Sequence, residues 1–470
     1  MNLSWQFEKK VSDDHEGWDN NLISTFKENK IKSLTCEILQ NSLDNPIRKD
    51  MLEPVEVVFA ESSIARSKVP GADDIKMRLQ QILVDAHETE SQDSIEEIQN
   101  ALDAINEDQI RLLQISDFNT SGLMGPDTRG NNFHKYLKAE GSSGGSSDRG
   151  GSHGHGKGAP LTVSDIRSIF VSTNWVENKS IKTLTQGRAT LMTHGIGAAR
   201  YGHKGYWGRQ EFRATETVAE ENNWIEHPPE QSGTTISILG WQKFANWQSS
   251  IIAYAIGNYF PAFIRGKLRL VVGGEVVNEE NFDEWLHKEE LENILKVHDT
   301  NALSEVLNAR WYSRCLDEKD QQLIVETKQL TPMPGKSDFR LIVRDGAPRK
   351  FGIIRNNMFI CEAKKLKNFY QRIPGEITDF VGLFECSNAE GSMLIRGMEP
   401  SQHNSLSAGY LPKSKLAIGE KALQKLAHAS KEFIKKHAVS EVGTGSEVLW
   451  MKHFFEDPAG DGADIDPNEE

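Results

Sequence analysis

One segment of the sequence carries an acidic and an amide side chain at a spacing suited to hydrolysis. In TCEILQNSLDN, Glu37 and Asn41 are four residues apart, so a helix would place them on one face. A carboxylate there can accept a proton from an attacking water, and an amide oxygen is a hard ligand suited to Mg²⁺. Asp44 follows on nearly the same face. Taken alone, the segment is better explained as the polar face of an exposed helix.

A second carboxylate, Asp117, ends the apolar run LLQISD and precedes the loop FNTSGLMG. A buried carboxylate at a strand end is costly unless it gains hydrogen-bond donors, and the exocyclic amine of adenine is such a donor. Gly122 would let the backbone come close to a flat base. Thr234, which follows Gly233 at the start of TTISILG, offers a hydroxyl to a carboxylate or a base. An Asx-type turn and an ordinary β-branched strand residue remain the alternatives.

The stretch GGSHGHGKGAP at 150–160 has three interpretations: a flexible linker, a histidine-rich metal site, and a loop that holds phosphate. Successive glycines expose backbone N–H groups that bind anions, and Lys157 adds a positive charge. The segment does not fit a Walker A loop, because Gly158 stands where a hydroxyl should reach Mg²⁺ and the preceding residues are polar. His153 and His155 have no cysteine or carboxylate cluster beside them in sequence, which weakens the metal interpretation.

These residues depend on elements that bring distant segments together. Apolar spacing predicts a helix over residues 20–45, stopped by Pro46. Strands are expected at 55–60, 112–117 and 233–241.

Two other regions differ in composition and in predicted secondary structure. Residues 75–106 are predicted to form polar, acidic helices on the surface of a domain. After about residue 241, a helix, the strand–turn–strand KLRLVVGGEVV and further strands predict a second α+β domain. The lysine-rich amphipathic helix KALQKLAHASKEFIKKHA follows, and the acidic end EDPAGDGADIDPNEE is expected to be disordered.

Composition limits the class of protein. The chain has 470 residues, 37% of them hydrophobic, and a formal net charge of −14. It has no apolar run near the roughly 20 residues of a membrane helix and no signal-peptide core, so we expect a cytoplasmic, two-domain protein without membrane association. The four cysteines are far apart, which argues against a disulfide framework or a zinc finger. An acidic chain is not a typical free-standing nucleic-acid binder, although local basic segments can still contact DNA.

The order of the four weak signals is itself informative. E-x-x-x-N, D-x-N-x-x-G-L, G-x-x-G-x-G-K and G-T follow one another across residues 1–240. This order resembles the GHKL ATPase superfamily of gyrase B, Hsp90, histidine kinases and MutL. The sequence departs from the family at the first glycine box, usually D-x-G-x-G, because Asn119 replaces the first glycine.

The resemblance implies an α+β chain in which a Bergerat-type ATP-binding α/β sandwich precedes an S5-like transducer domain and a C-terminal helix. The implied ATP-binding domain covers 1–240, with an insertion at about 64–106 and a lid at about 129–158. A transducer at 241–410, a basic helical tail at 411–455 and an acidic disordered tail at 456–470 complete the expected layout.

The resemblance also implies residue roles, with ATP and Mg²⁺ as cofactors. Glu37 would activate the hydrolytic water, Asn41 would bind Mg²⁺, and Asp44 would support the nucleotide site. Asp117 would hold the adenine amine together with Thr234. Further implied nucleotide contacts are Asn119, Gly122, Leu123, Gly151, Ser152, His153, Gly154, His155, Gly156 and Lys157. A basic transducer residue would reach the γ-phosphate, with candidates Lys328, Lys336, Arg349, Lys350 and Arg355.

Within the superfamily, the two-domain layout and the sequence segments IIRNNMFI and MEPSQHN resemble prokaryotic MORC-like ATPases of restriction and anti-phage systems. The expected function is an ATP-driven clamp or switch that forms a homodimer when the lid closes. DNA and a partner nuclease or helicase are candidate partners. The alternatives are a nucleotide-gated scaffold with little turnover and an Hsp90-like chaperone. The lysines of 413–436 either face DNA phosphate or belong to a solvated helix that packs on the second domain.

Overall fold

The computed structural model describes residues 3–47, 53–139, 156–366, 377–386, 388–400 and 404–438. The chain divides into two compact units. The first comprises Met1–Ser313 with Asn357–Phe359, and the second comprises Arg314–Asn356 with Ile360–Glu470. Within the described ranges, we find no helix that is both long and apolar enough to span a membrane.

Helices and strands alternate irregularly along the chain. The helices are α1 Asn21–Ser24, α2 Lys30–Leu43, α3 Ala72–Thr89, α4 Gln92–Asn106, α5 Asn132–Lys138, α6 Ala159–Thr162, α7 Trp247–Ile264, α8 Phe282–Leu286, α9 Glu289–His298, α10 Thr300–Arg314, α11 Ala389–Gly397 and α12 Leu416–Ala438. The strands are β1 Ser4–Lys10, β2 Val55–Ala65, β3 Gln109–Phe118, β4 Ser168–Glu177, β5 Ser180–Thr190, β6 His194–Ile196, β7 Ala199–Gly208, β8 Gly233–Leu239, β9 Leu268–Val272, β10 Glu275–Val277, β11 Leu323–Gln329, β12 Lys336–Val343, β13 Lys350–Arg355, β14 Met358–Glu362 and β15 Phe380–Cys386.

A large mixed sheet forms the first unit. Among the described residues it has ten strands in the order β1-β7-β5-β4-β8-β3-β2-β9-β10, with β6 added to β7. Neighbours from β1 to β2 run antiparallel, and β2 runs parallel to β9. At the centre, Asp117 of β3 lies opposite Thr234 of β8, which lies opposite Thr173 of β4. Three strands that are distant in sequence therefore place these side chains side by side.

The acidic helices α3 and α4 cover the sheet and are not a surface appendage. Ile75 and Leu79 of α3 and Ile98 of α4 are fully or almost fully buried in one apolar cluster with Leu112 of β3 and Phe170 of β4. Burial of each such side chain stabilises a fold by about 1.5–3 kcal/mol. The expectation of polar, acidic helices on the surface underrated the apolar spacing on their inner face.

The helix expected over 20–45 is two helices. α1 ends at Ser24, and α2 starts again at Lys30 because the Asn29 side chain accepts a hydrogen bond from the Lys32 N–H at 3.0 Å. α2 contacts α7 and β2, and Tyr259 of α7 donates to the Cys36 carbonyl at 2.7 Å. This packing fixes α2 beside the sheet.

The second unit contains a smaller sheet. In its described part, five strands run in the order β11-β12-β15-β13-β14, and β13 and β15 are parallel. α12 contacts β12 and buries Phe433 and Ile434.

The division of the chain differs from the sequence expectation of a boundary near residue 240. α7, β9 and β10 were expected in the second domain, yet the first unit extends to Ser313. The reason is the pairing of β2 with β9, in which Val57 lies opposite Leu270. α12, expected as a separate tail, belongs to the second unit, while 439–470, which includes the acidic end, lies outside the described residues.

Candidate functional site

The carboxylate of Asp117, near the end of β3, is the meeting point of three segments. Its Oδ1 accepts hydrogen bonds from the Thr234 backbone N–H at 2.9 Å and from the Thr120 hydroxyl at 2.6 Å. Its Oδ2 accepts one from the Ser42 hydroxyl of α2 at 2.9 Å. The carboxylate thus links β3, β8 and α2.

The environment of Asp117 suits an acceptor for a further donor. Burial raises the pKa of the Asp117 carboxyl, while the hydrogen bonds from Thr120, Ser42 and the Thr234 backbone act in the opposite direction. A carboxylate oxygen has two acceptor positions. Oδ1 uses both and Oδ2 uses one, so Oδ2 can still accept from an amine such as that of adenine. Such a donor would favour the charged form and lower this pKa.

Glu37 lies on the buried side of α2, with 6% of the residue exposed. Burial raises the pKa of the Tyr136 phenol on α5. The charges of Glu37 and Asp117 raise this pKa further, and the charge of Arg188 lowers it. Glu37, Arg188 and Asp117 are therefore each within electrostatic reach of Tyr136. Arg188, on β5, is itself buried and donates to the Leu137 carbonyl of α5 at 2.7 Å. No spacing pattern in the sequence marks Tyr136 or Arg188, and neither was predicted.

Asn41 lies on the solvent side of the same helix end, and Asp44 is half-buried there. Asn41 is exposed, one turn after Glu37, and Asp44 follows the last residue of α2 with its N–H bonded to the Gln40 carbonyl at 2.9 Å. An exposed amide oxygen fits Mg²⁺, which keeps several waters and binds through few protein groups plus substrate phosphates. In the described part of the chain, no group of three or more His, Cys, Asp or Glu side chains is placed to hold a metal ion.

The loop after β3 is held tightly against β4. Asn119 has φ of 60°, a conformation that asparagine tolerates, and its amide donates to the Pro54 carbonyl at 2.8 Å. The Leu123 N–H bonds the Thr173 hydroxyl at 2.8 Å. Gly122 has φ of 63°, and a Cβ there would lie 2.3 Å from the Asn174 carbonyl oxygen. Asparagine is among the few non-glycine residues that adopt this left-handed backbone readily.

The first part of the predicted lid is a helix. α5 buries Phe133 and Leu137. Its Lys138 ammonium bonds both oxygens of the buried Asp127 at 2.8 and 2.7 Å, and Asp127 also accepts from the Ala214 N–H at 2.8 Å. This Asp127–Lys138 pair was not predicted, and it anchors α5 beside Glu37.

The second glycine box is described only at its end. Gly156 opens a 3₁₀ turn, Gly156–Gly158, in which Lys157 is buried with its ammonium 3.5 Å from the Lys135 carbonyl oxygen of α5. The Lys157 side chain is therefore not on an exposed loop. The other predicted contacts in this box lie outside the described residues: Gly151, Ser152, His153, Gly154 and His155.

Most of the basic candidates in the second unit have acidic partners. Lys336 is exposed at the start of β12 and makes no ion pair with the described residues. The paired candidates are Lys328 with Glu326 at 2.8 Å, Arg349 with Asp379 at 2.7 Å, Lys350 with Glu362 at 3.4 Å and Arg355 with Glu399 at 2.6 Å. Arg355 and Glu399 are both buried, and their ion pair joins the two sequence segments IIRNNMFI and MEPSQHN.

The lysines near α12 divide into two groups. Lys431 is buried in the packed face of the helix, and Lys436 is exposed but pairs with Glu326 at 2.6 Å. The exposed members without an acidic partner among the described residues are Lys413, Lys415, Lys421 and Lys425. The packing interpretation accounts for the inner face, and the outer lysines remain available to an anionic partner.

Comparison with known proteins gives only remote likenesses. No protein-family model matches the chain, and no curated protein matches it. It is similar to the ATPase and transducer domains of DNA topoisomerase II from Balamuthia mandrillaris (10% identity, 92% of each chain, TM-score 0.35). It is also similar to the gyrase B ATPase domain of Thermus thermophilus (9% identity, 86% of this chain and 90% of that one, TM-score 0.29). The B-subunit of the DNA gyrase from Myxococcus xanthus matches at 10% identity over 69% of this chain and 82% of its own, with a TM-score of 0.31.

Proposed function

We propose that the first unit binds ATP with Mg²⁺ and hydrolyses it, as a member of the GHKL superfamily. The observation that carries the proposal is the convergence of β3, β8 and α2 on the Asp117 carboxylate, with buried Glu37 on that same helix. The order of the motifs in the sequence supports the same function independently of any remote structural likeness.

In this proposal each residue has a defined task. Asp117 accepts a hydrogen bond from the adenine amine through Oδ2, which has an acceptor position left. Glu37 accepts a proton from the attacking water, and burial beside Tyr136 keeps it away from bulk solvent. The amide oxygen of Asn41 is the protein ligand for Mg²⁺, which when bound supplies positive charge to the phosphate oxygens.

The finer functional details are also proposals. We infer a lid within 129–158 that covers the phosphates, an ATP-dependent homodimer, and a second unit that acts as an S5-like transducer. The exposed lysines around the start of α12 are the proposed contact for DNA, through phosphate charge. We also propose membership of the MORC-like branch, a role in anti-phage defence and a partner nuclease or helicase. These proposals rest on the resemblance of the two-domain layout and of two sequence segments.

A steady-state ATPase assay with Glu37→Gln tests the proposed reaction. We expect turnover to fall by about 10²–10⁴-fold while ATP binding is retained, because only the proton acceptor is lost. Glu28→Gln, an exposed carboxylate just before α2, is the matched control and should keep normal turnover. If Glu37→Gln hydrolyses ATP as fast as Glu28→Gln does, Glu37 is not the base.

The same assay separates the alternative functions. Stimulation by DNA that disappears when Lys413, Lys415, Lys421 and Lys425 are changed to glutamine supports the DNA-associated switch. Stimulation by unfolded protein points to a chaperone. ATP binding without turnover in the unmodified protein points to a nucleotide-gated scaffold.

A further inference from the structure

A polar cavity lies at the far end of α2 from the Asp117 site. It has a volume of about 300 Å³, and Lys30, the first residue of α2, is one of its lining residues. Ser42, which binds Asp117, lies in the last turn of the same helix. Twelve residues of helix separate the two ends by about 18 Å. The cavity is thus distinct from the candidate nucleotide site.

Two cations on the cavity wall are already neutralised. Lys27 pairs with Asp19 at 2.6 Å and with Glu97 at 3.0 Å. The Arg167 guanidinium pairs with Glu97 at 2.7 Å and stacks 4.0 Å from the centre of the Trp18 ring. These contacts make a fixed wall whose charges are balanced internally.

Two other lysines, Lys30 and Lys243, line the wall. The Lys30 ammonium donates to the neutral Gln242 side chain at 2.9 Å, and Lys243 is exposed on the same rim. Neither forms an ion pair with the described residues. Asp165 also lines the cavity, but it pairs with Arg111 at 3.0 Å.

The surroundings of Lys30 favour an external counter-ion. Burial is the largest cause that lowers the pKa of its ammonium, with Lys27 and Arg167 adding to the effect and Glu97 and Asp165 opposing it. A half-buried cation beside a water-accessible cavity gains from an anion that restores its charge balance. The N-terminal end of a 14-residue helix adds a field of the same sign.

We propose that this cavity binds a small organic anion, whose phosphate or carboxylate group contacts Lys30 and Lys243 while its organic part packs near Phe244. The volume is at the lower end of the range for small-molecule sites, so it suits a metabolite-sized molecule and not a macromolecule. The asparagine and glutamine side chains on the wall, Asn100 and Gln242, would bond the polar groups of such a ligand.

Calorimetric titration of the full chain tests the site with three probes: inorganic phosphate, glycerol 3-phosphate and succinate, each against chloride at equal ionic strength. Lys30→Gln removes the charge and keeps a polar side chain next to Gln242. The matched control is Lys182→Gln, an exposed lysine at the opposite end of the β4–β5 hairpin. Asp117→Asn separates this site from the nucleotide site.

We expect at least one probe to bind more tightly than about 1 mM, Lys30→Gln to weaken it at least about tenfold, and Lys182→Gln and Asp117→Asn to leave it within about twofold. Preference for the phosphates or for succinate then identifies the anionic group. The proposal is overturned if none of the probes binds better than chloride, if Lys30→Gln binds like Lys182→Gln, or if Asp117→Asn abolishes the binding.

Discussion

At the residue scale, the Asp117 carboxylate accepts hydrogen bonds from a helix, a loop and a strand. The loop can supply Thr120 to that carboxylate because the chain turns at Gly122, whose backbone lies against β4. Any Cβ at Gly122 must push away the Asn174 carbonyl oxygen, which belongs to a buried strand. The shape of the Asp117 site therefore depends on Gly122, a residue without a side chain.

Gly122→Ala should destabilise the first unit more than Gly130→Ala does. Both glycines have positive φ, so both variants carry backbone strain of about 1–2 kcal/mol, but a Cβ on Gly130 would meet nothing within 4 Å. The contact at Gly122 adds about 1–3 kcal/mol. Thermal unfolding should show a melting temperature several degrees lower for Gly122→Ala. Equal melting temperatures would show that the loop shifts away from β4 at little cost.

Part of this site was predictable from residue types alone. The acid at the end of one strand and the hydroxyl at the start of another marked Asp117 and Thr234. Their pairing across β3 and β8 depends on long-range register, which local spacing does not encode. Tyr136 and Arg188 were missed for the same reason, since only tertiary packing brings Glu37 and Arg188 near Tyr136.

At the element scale, α12 is joined to β11 by one carboxylate. Glu326 of β11 contacts Lys436 at 2.6 Å and His437 at 2.7 Å, both in the last turn of α12. Hydrogen bonds from Lys328, Lys436 and His437 lower the pKa of Glu326 to about 2. The contact should therefore hold the helix in place until the pH falls well below the ordinary range of a glutamate.

Glu326→Gln should change the acid dependence of stability. A carboxyl with a lowered folded-state pKa stabilises the fold above its ordinary pKa of 4.5, and this contribution is lost as the pH falls towards about 2. The melting temperature of the variant should thus lie below that of the unmodified protein at neutral pH, and the gap should narrow at about pH 3. Glu432→Gln, an exposed glutamate on α12, is the control and should leave a pH-independent, near-zero gap. A gap for Glu326→Gln that does not narrow in acid would contradict the assigned contact.

Sequence periodicity predicted the types of these elements better than their limits. Asn29 divides the helix expected over 20–45, because its side chain caps a new helix start. In α3 and α4 the acidic outer face obscured the apolar spacing of Ile75, Leu79 and Ile98. Capping and one-sided burial are decided by neighbouring segments, so composition alone could not separate them.

At the scale of the whole molecule, the first unit needs more chain than its motifs span. The four motifs end by Thr234, yet β9 pairs with β2 and α7 packs against α2. A protein cut at residue 240 would lose both contacts. It would expose the edge of β2 and the buried face of the helix that carries Glu37.

A fragment of residues 1–313 should therefore fold cooperatively, whereas a fragment of residues 1–240 should not. Circular dichroism melting and size-exclusion chromatography of the two fragments measure this difference. The longer fragment should give a sharp transition and a compact elution volume, and the shorter should aggregate or melt broadly. If both fragments melt sharply at the same temperature, the boundary near residue 240 is correct for folding.

Equilibrium binding of ATP to the unmodified protein and to Asp117→Asn tests the central claim most directly. The protein should bind ATP more tightly than GTP, because guanine has no exocyclic amine at the position where adenine carries one. Asp117→Asn should weaken ATP binding roughly 10- to 150-fold, the loss expected for a hydrogen bond to a charged group, while exposed Asp345→Asn should leave it unchanged. Binding of ATP to Asp117→Asn as tightly as to the unmodified protein would contradict the proposed adenine site.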